Sequence, residues 1–124
     1  MIILHINQQD KLDAVKKVAE MIGQKTVVTG PSDLSKTIKG IYTGSGAIKK
    51  DEKIPMIYNM PDLAIFVGMD MEMFEAFSRS YKMTGFSPIA LKAFATPHNM
   101  DWSLYSLIEE LKKEHISLHG NSDF

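Results

Sequence analysis

The residues of this chain best equipped for chemistry cluster ahead of its last helical segment. Thr96, His98, Asn99 and Trp102 put a hydroxyl, an imidazole, an amide and an aromatic plane into one proline-containing turn. A turn leading into a helix leaves backbone N–H groups that favour anions, so the stretch reads as a ligand-binding surface. The same residues also read as a proline turn with side-chain capping and a tryptophan pinning the helix to the core. Just upstream, Lys92 stands inside the otherwise apolar run 89–95, where a lysine must reach water or be paired. On an edge strand it would block pairing with another chain; in a cavity it would be a binding or Schiff-base lysine.

Other patterns carry less. His115 and His119 have the i, i+4 spacing that can hold zinc, but Ile116 occupies the glutamate position of the zincin motif and no third ligand is evident. Surface histidines near the chain end are the simpler reading. Met69, Met71 and Met73 resemble a thioether copper site in spacing, yet a helix capped at Asp70 would scatter them around its axis. The stretch Gly44, Ser45, Gly46, Ala47, Ile48, Lys49, Lys50 has neither the P-loop spacing nor a G-x-G-x-x-G after a strand, and reads as a solvated linker. No nucleophile elbow or other local catalytic arrangement is present, so nothing supports a triad. Neither a metal nor a cofactor is expected.

Composition narrows the classes further. Lysine and arginine total 14 against 15 acidic residues, so no overall field draws the chain to nucleic acid or to an anionic membrane. Arg79 is the single arginine, which leaves almost no bidentate guanidinium for phosphates and base edges. The absence of cysteine excludes disulfides, thiolate nucleophiles, iron–sulfur clusters and the usual structural zinc sites. The apolar start at 1–6 lacks the basic region and long apolar run of a signal peptide, and no stretch approaches a membrane span, so a cytoplasmic address is expected.

These side chains need a scaffold, and periodicity supplies it. A β-branched run at 2–6 predicts a buried strand, followed by a helix from Asp10 with Leu12, Val15, Ala19 and Ile22 on one stripe and Gly23 as its stop. A second strand at 25–29 runs into Gly30 and Pro31. Ser32 or Asp33 is the expected cap of a second helix with the stripe Leu34, Ile38, Ile41. A third strand at 63–67 leads to a helix capped by Asp70 with Phe74, Phe77 and Tyr81 on a face, ending at Gly85. The run 89–95 is the fourth strand, and Asp101 is the expected cap of a last helix with Leu104, Leu107, Ile108 and Leu111 as its stripe.

Strand–helix–strand–helix, occurring twice, predicts one α/β domain over 1–124 made of two similar halves, about 1–42 and 56–119, joined by an exposed linker at 43–55. Right-handed crossovers give a four-stranded, mainly parallel sheet in the order 2-1-3-4 with four helices. If all strands are parallel, Asn7, Thr29, Gly68 and Thr96 share one rim, where such sheets bind ligands.

The C-terminal half carries Leu63-Ala64-Ile65-Phe66-Val67-Gly68, Leu91-Lys92-Ala93, Thr96-Pro97-His98-Asn99, Trp102, Glu110-Leu111 and Glu114-His115. In these elements it resembles a small bacterial family catalogued as a domain of unknown function. The resemblance implies a bacterial setting and a compact α/β domain, transfers no mechanism, and draws attention to Lys92, Thr96, Asn99 and Trp102.

Three functions follow as expectations. The first is a non-enzymatic binding or regulatory module holding a small anionic ligand or a protein partner at the 96–102 rim, with no role in nucleic-acid or membrane binding. The second is an enzyme in which Lys92 or His98 acts on a carbonyl or anionic substrate, which requires Lys92 to point into a cavity with a lowered pKa. The third is an assembly protein that pairs as a homodimer through methionine-rich and aromatic surface.

Overall fold

A computed structural model describes residues 1–117, with side chains described through 114; the His115 and His119 pair lies outside those side chains. The elements follow in the order β1 (Ile2–His5), α1 (Gln9–Met21), β2 (Thr26–Val28), α2 (Ile38–Thr43), β3 (Leu63–Phe66), α3 (Met71–Lys82), β4 (Leu91–Phe94) and α4 (Leu104–Ser117).

The two central strands are apolar at almost every position because both of their faces are covered. Alternation along β1 and β3 sends Ile2, Leu4, Ala64 and Phe66 to one face, where Val15 and Ala19 of α1 and Phe77 and Tyr81 of α3 meet them. Ile3, Leu63 and Ile65 go to the other, against Ile38 and Ile41 of α2 and Leu104, Leu107 and Ile108 of α4. Each fully buried aliphatic or phenyl side chain contributes about 1.5–3 kcal/mol, so this two-sided core holds the sheet.

The strand order is β2-β1-β3-β4, as expected from right-handed crossovers, but the sheet is mixed. β1 is parallel to β2 and β3 to β4, whereas β1 pairs antiparallel with β3, Ile2 facing Phe66 and His5 facing Leu63. The expected common rim is therefore split. Asn7 and Thr29 lie at one end of the sheet, Gly68 and Thr96 at the other.

Three caps differ from expectation. α1 begins after Gln8 without a side-chain cap, and Asp10, inside the first turn, accepts the neighbouring Lys11 N–H at 2.9 Å. Pro31–Asp33 form a short 3-10 turn, so α2 starts later, at Thr37, whose hydroxyl accepts the Gly40 N–H at 2.8 Å. α4 likewise starts from Ser103, which accepts the Ser106 N–H at 3.0 Å, and not from Asp101. Asp70 caps α3 as expected, accepting the Met73 N–H at 2.8 Å.

The segments leading into α2 and α4 share one hydrogen-bond pattern. The Asp33 carboxylate accepts the Gly30 N–H at 2.9 Å, and the Asn99 amide oxygen accepts the Thr96 N–H at 2.9 Å. Gly30, Pro31, Asp33 and Thr37 thus match Thr96, Pro97, Asn99 and Ser103. These lead-in segments also touch each other: Ile38 N–H donates to Trp102 O at 3.0 Å and Leu104 N–H to Lys36 O at 2.9 Å, an antiparallel bridge between Thr37 and Ser103.

The 43–55 segment is largely exposed yet fastened at both ends of that bridge. Thr37 N–H donates to Ala47 O at 2.9 Å, and Lys49 N–H to Ser35 O at 2.8 Å. Farther on, the Glu52 carboxylate accepts the hydroxyls of Ser103 and Ser106. Those hydrogen bonds, Ser103 first, hold Glu52 below the usual carboxylate range against the opposing effect of burial.

Candidate functional site

A groove of about 350 Å³ runs between β4, which is an edge strand, and α4. All five residues singled out in the sequence line it: Lys92, Thr96, His98, Asn99 and Trp102. They converge because the chain leaves β4, turns at 96–102 and returns as α4 alongside the strand it has left. Ala93, Leu107 and Leu111 line the groove as well, and Glu110 and Glu114 project from α4 one helical turn apart.

The individual roles diverge. Asn99 is buried and fully committed to the turn: its amide oxygen accepts Thr96 N–H, its amide nitrogen donates to Phe94 O at 3.0 Å, and its backbone N–H donates to the Thr96 hydroxyl at 3.2 Å. The structural reading of Asn99 and Thr96 therefore accounts for their polar atoms. By contrast, His98 is exposed and stands edge-on to the half-buried Trp102 ring, centroids 5.3 Å apart at 67°. These two rings are presented to solvent along the groove.

Most of the backbone donors that would cradle an anion are engaged within the chain. Thr96 and Asn99 N–H are bonded within the turn, Met100 N–H to Thr96 O, Trp102 N–H to Asn99 O, and Leu104 and Tyr105 N–H to Lys36 O and Leu34 O. Ser106 N–H goes to the Ser103 hydroxyl. What faces the groove is apolar surface, two aromatic rings and charged side chains.

Lys92 lies at the groove's margin. Strand alternation, with Leu91 in the α4-side core, directs its side chain to the α3 face, where it lines a cavity of about 80 Å³ with Phe77, Tyr81, Lys82 and Ile89. Burial, and then repulsion from Lys82, lower its pKa. A volume near 80 Å³ accommodates only something on the order of two or three water molecules.

The methionine row diverges, since Met69 is buried in the core while Met71 is 58% exposed at the start of α3. Among the described residues no group of three or more histidine, aspartate or glutamate side chains is placed to hold a metal ion, and no helix is long and apolar enough to cross a membrane.

Residues 63–118 match a family described as a domain of unknown function (DUF3783). The matched stretch takes in β3, α3, β4 and α4, and hence every residue of the groove, while β1, α1, β2 and α2 lie outside it. The family resemblance read from the C-terminal half is thereby met. No curated protein and no solved structure matches the chain.

A second polar constellation, at the opposite end of the sheet, was not among the sequence candidates. Lys11 is 3% exposed, and its ammonium donates to the Asp62 carboxylate at 2.8 Å, the Ser87 hydroxyl at 3.1 Å and Pro88 O at 3.3 Å. Asp62 also accepts the Asn7 backbone N–H at 2.8 Å and side-chain N–H at 3.1 Å. Burial pushes Asp62 upward, but the bonds from Lys11 and Asn7 outweigh it and hold the carboxylate below its usual range. The signal was Lys11 itself, which recurs with Val15, Val18 and Ile22 at helical spacing and so sits on an apolar stripe. With every donor of Lys11 used, the network ties the loop after β1 to the segments before β3 and β4.

The turn makes a direct prediction. Asn99→Asp replaces the amide that donates to Phe94 O with a second carboxylate oxygen, placing two acceptors face to face. A loss of about 1–3 kcal/mol is expected in chemical denaturation at neutral pH.

Proposed function

We propose that this protein is a non-enzymatic binding module whose β4–α4 groove holds an extended segment of a partner protein, with His98 and Trp102 as its exposed aromatic contacts. The observation that carries this reading is the groove itself, which gathers Ala93, Trp102, Leu107 and Leu111 into one apolar lining beside an edge strand. A small anion is the weaker candidate because most N–H groups of the turn are already bonded within the chain and two carboxylates, Glu110 and Glu114, line the groove. Asn99 takes the carbonyl of Phe94, so the segment is held by side-chain contacts and not by continued strand pairing at that position.

On the same reading, 1–42 and 56–119 are two copies of one βαβα unit, supported by the matching turns at Gly30 and Thr96. Only the second copy keeps its groove wide. The corresponding hollow of the first, lined by Val27, Val28, Asp33, Lys36 and Ile41, is about 110 Å³ and is crossed by Gly44 and Gly46 of the connecting segment.

Trp102 is the only tryptophan, so its fluorescence and indole N–H report on the groove without interference. Titration with a panel of capped apolar pentapeptides should shift the resonances of His98, Trp102, Leu107 and Leu111 together, and Trp102→Ala should weaken binding by about tenfold or more, as truncation of an aromatic anchor does. A panel of peptides and small fragments that leaves all four resonances unmoved would sink the proposal.

A further inference from the structure

We infer that the segment bound in the β4–α4 groove carries a basic residue whose ammonium or guanidinium rests against the Trp102 ring and is drawn there by the acidic wall that Glu110 and, one turn farther along α4, Glu114 present; this rests on the groove reading above. The comparison with the first half is what points there. In the matching hollow the chain supplies its own cation: Lys36, at the position equivalent to Trp102, places its ammonium 2.6 Å from the Asp33 carboxylate. In the β4–α4 groove that lysine is replaced by an indole, the aspartate by Asn99, and two carboxylates are added from α4. The internal cation is gone, while an aromatic face and two acids that suit an external one are present.

Neither Glu110 nor Glu114 forms an ion pair among the described residues, where the pairs are Lys11–Asp62, Lys36–Asp33 and Lys112–Glu109. Both carboxylates are therefore available for a partner's charge. Lys92 reaches the groove only at its margin, its side chain being directed by strand alternation to the α3-side cavity, and the α4 wall itself presents the two carboxylates.

The same helix already shows the arrangement in miniature. The Lys112 ammonium donates to the Tyr58 hydroxyl at 3.1 Å, 4.6 Å from the ring centroid, and lies 3.2 Å from the Glu109 carboxylate, a cation shared between an aromatic residue and an acid. Indole is the stronger cation-binding ring, so an equivalent contact at Trp102 is chemically favourable. The partner is thus an extended apolar segment with one lysine or arginine, complementary to the groove in shape and in charge.

The test uses the full chain and two capped pentapeptides that differ only at the central residue, lysine in one and norleucine in the other, followed by Trp102 fluorescence and by NMR. The lysine peptide should bind about tenfold more tightly at low salt. That advantage should fall to within about twofold in Glu110→Gln/Glu114→Gln and in 0.5 M salt, as expected of a partly exposed charge pair. Equal binding of both peptides, with the same groove resonances moving, overturns the basic anchor and leaves the groove reading standing. If neither peptide moves those resonances, the groove reading fails with it. Displacement of the bound lysine peptide by a synthetic peptide of residues 118–124 would assign the groove to the chain's own end. Groove shifts that grow with protein concentration alone would assign it to a second copy, and either result overturns the inference.

Discussion

Asp62→Asn is expected to destabilise the protein by about 3–5 kcal/mol, the range for removing one partner of a buried ion pair. The cost arises mainly at Lys11, which is 3% exposed and would lose its charged partner, keeping only neutral acceptors such as the Ser87 hydroxyl and Pro88 O. Asparagine nearly preserves the volume, so the loss reads electrostatics and hydrogen bonding instead of a cavity. The companion Lys11→Met leaves Asp62 with its two bonds from Asn7 and a side chain 16% exposed, and should cost less. Combining the two should recover part of the loss, because it removes the stranded charge together with its partner; guanidinium denaturation of the four proteins closes the cycle.

The acid limb tests the same network independently. The pKa of Asp62 is lowered in the folded state, so its contribution is complete above the unfolded carboxylate value near 3.9 and is lost as pH falls through the folded value. Stability of the parent should therefore drop on acidification below about pH 4 more steeply than that of Asp62→Asn. Parallel slopes for the two proteins would mean that Asp62 is not held down by Lys11.

The parts of the fold that could be read from the sequence are those fixed by local chemistry. Asp70 before Met71 fixes the start of α3 and the aromatic stripe Phe74, Phe77, Tyr81 its buried face, though the helix ends at Lys82, ahead of Gly85, and right-handed crossovers suffice for the strand order. The antiparallel meeting of β1 and β3 was not readable, because the connection from Thr43 to Leu63 is long enough to bring β3 back in either direction. The late start of α2 was hidden by competing caps: Ser32, Asp33 and Thr37 are all cap-forming types, and Leu34 is buried on the expected stripe although it lies outside the helix. Sequence reasoning assembled the groove residues on the 92–102 side because they are neighbours in the chain. It gave Glu110 and Glu114 no role, since their place in the groove follows only from how α4 folds back along β4. Glu52 was concealed for another reason: its segment has the composition of a solvated linker, and the Ser103 and Ser106 hydroxyls that bind it are distant in sequence.

Gly40→Ala carries the second large effect, and its sign is the informative part. An exposed helical glycine usually gains about 1 kcal/mol on becoming alanine. Here the added Cβ would meet Ala47 O at 2.6 Å and Ala47 N at 2.8 Å, backbone atoms of the connecting segment that cannot step aside as a flexible side chain would. The segment is bonded in place on both sides of the contact, through Gly46 N–H to Gly40 O at 3.0 Å and Thr37 N–H to Ala47 O at 2.9 Å. Overpacking against a fixed backbone outweighs the helix gain, and a net loss of about 1–3 kcal/mol is expected. Gly30→Ala is the matched control: nothing lies within 4 Å of its Cβ, so its melting temperature should stay within a few degrees of the parent's while that of Gly40→Ala falls well below. The consequence reaches the groove, because moving Ala47 also moves Glu52, which holds the Ser103 and Ser106 hydroxyls at the start of α4. Peptide binding at Trp102 should therefore weaken in Gly40→Ala even under conditions where the protein remains folded. A variant as stable as the parent, with unchanged binding, would show that the connecting segment is not seated against α2 and does not position the helix that forms one wall of the groove.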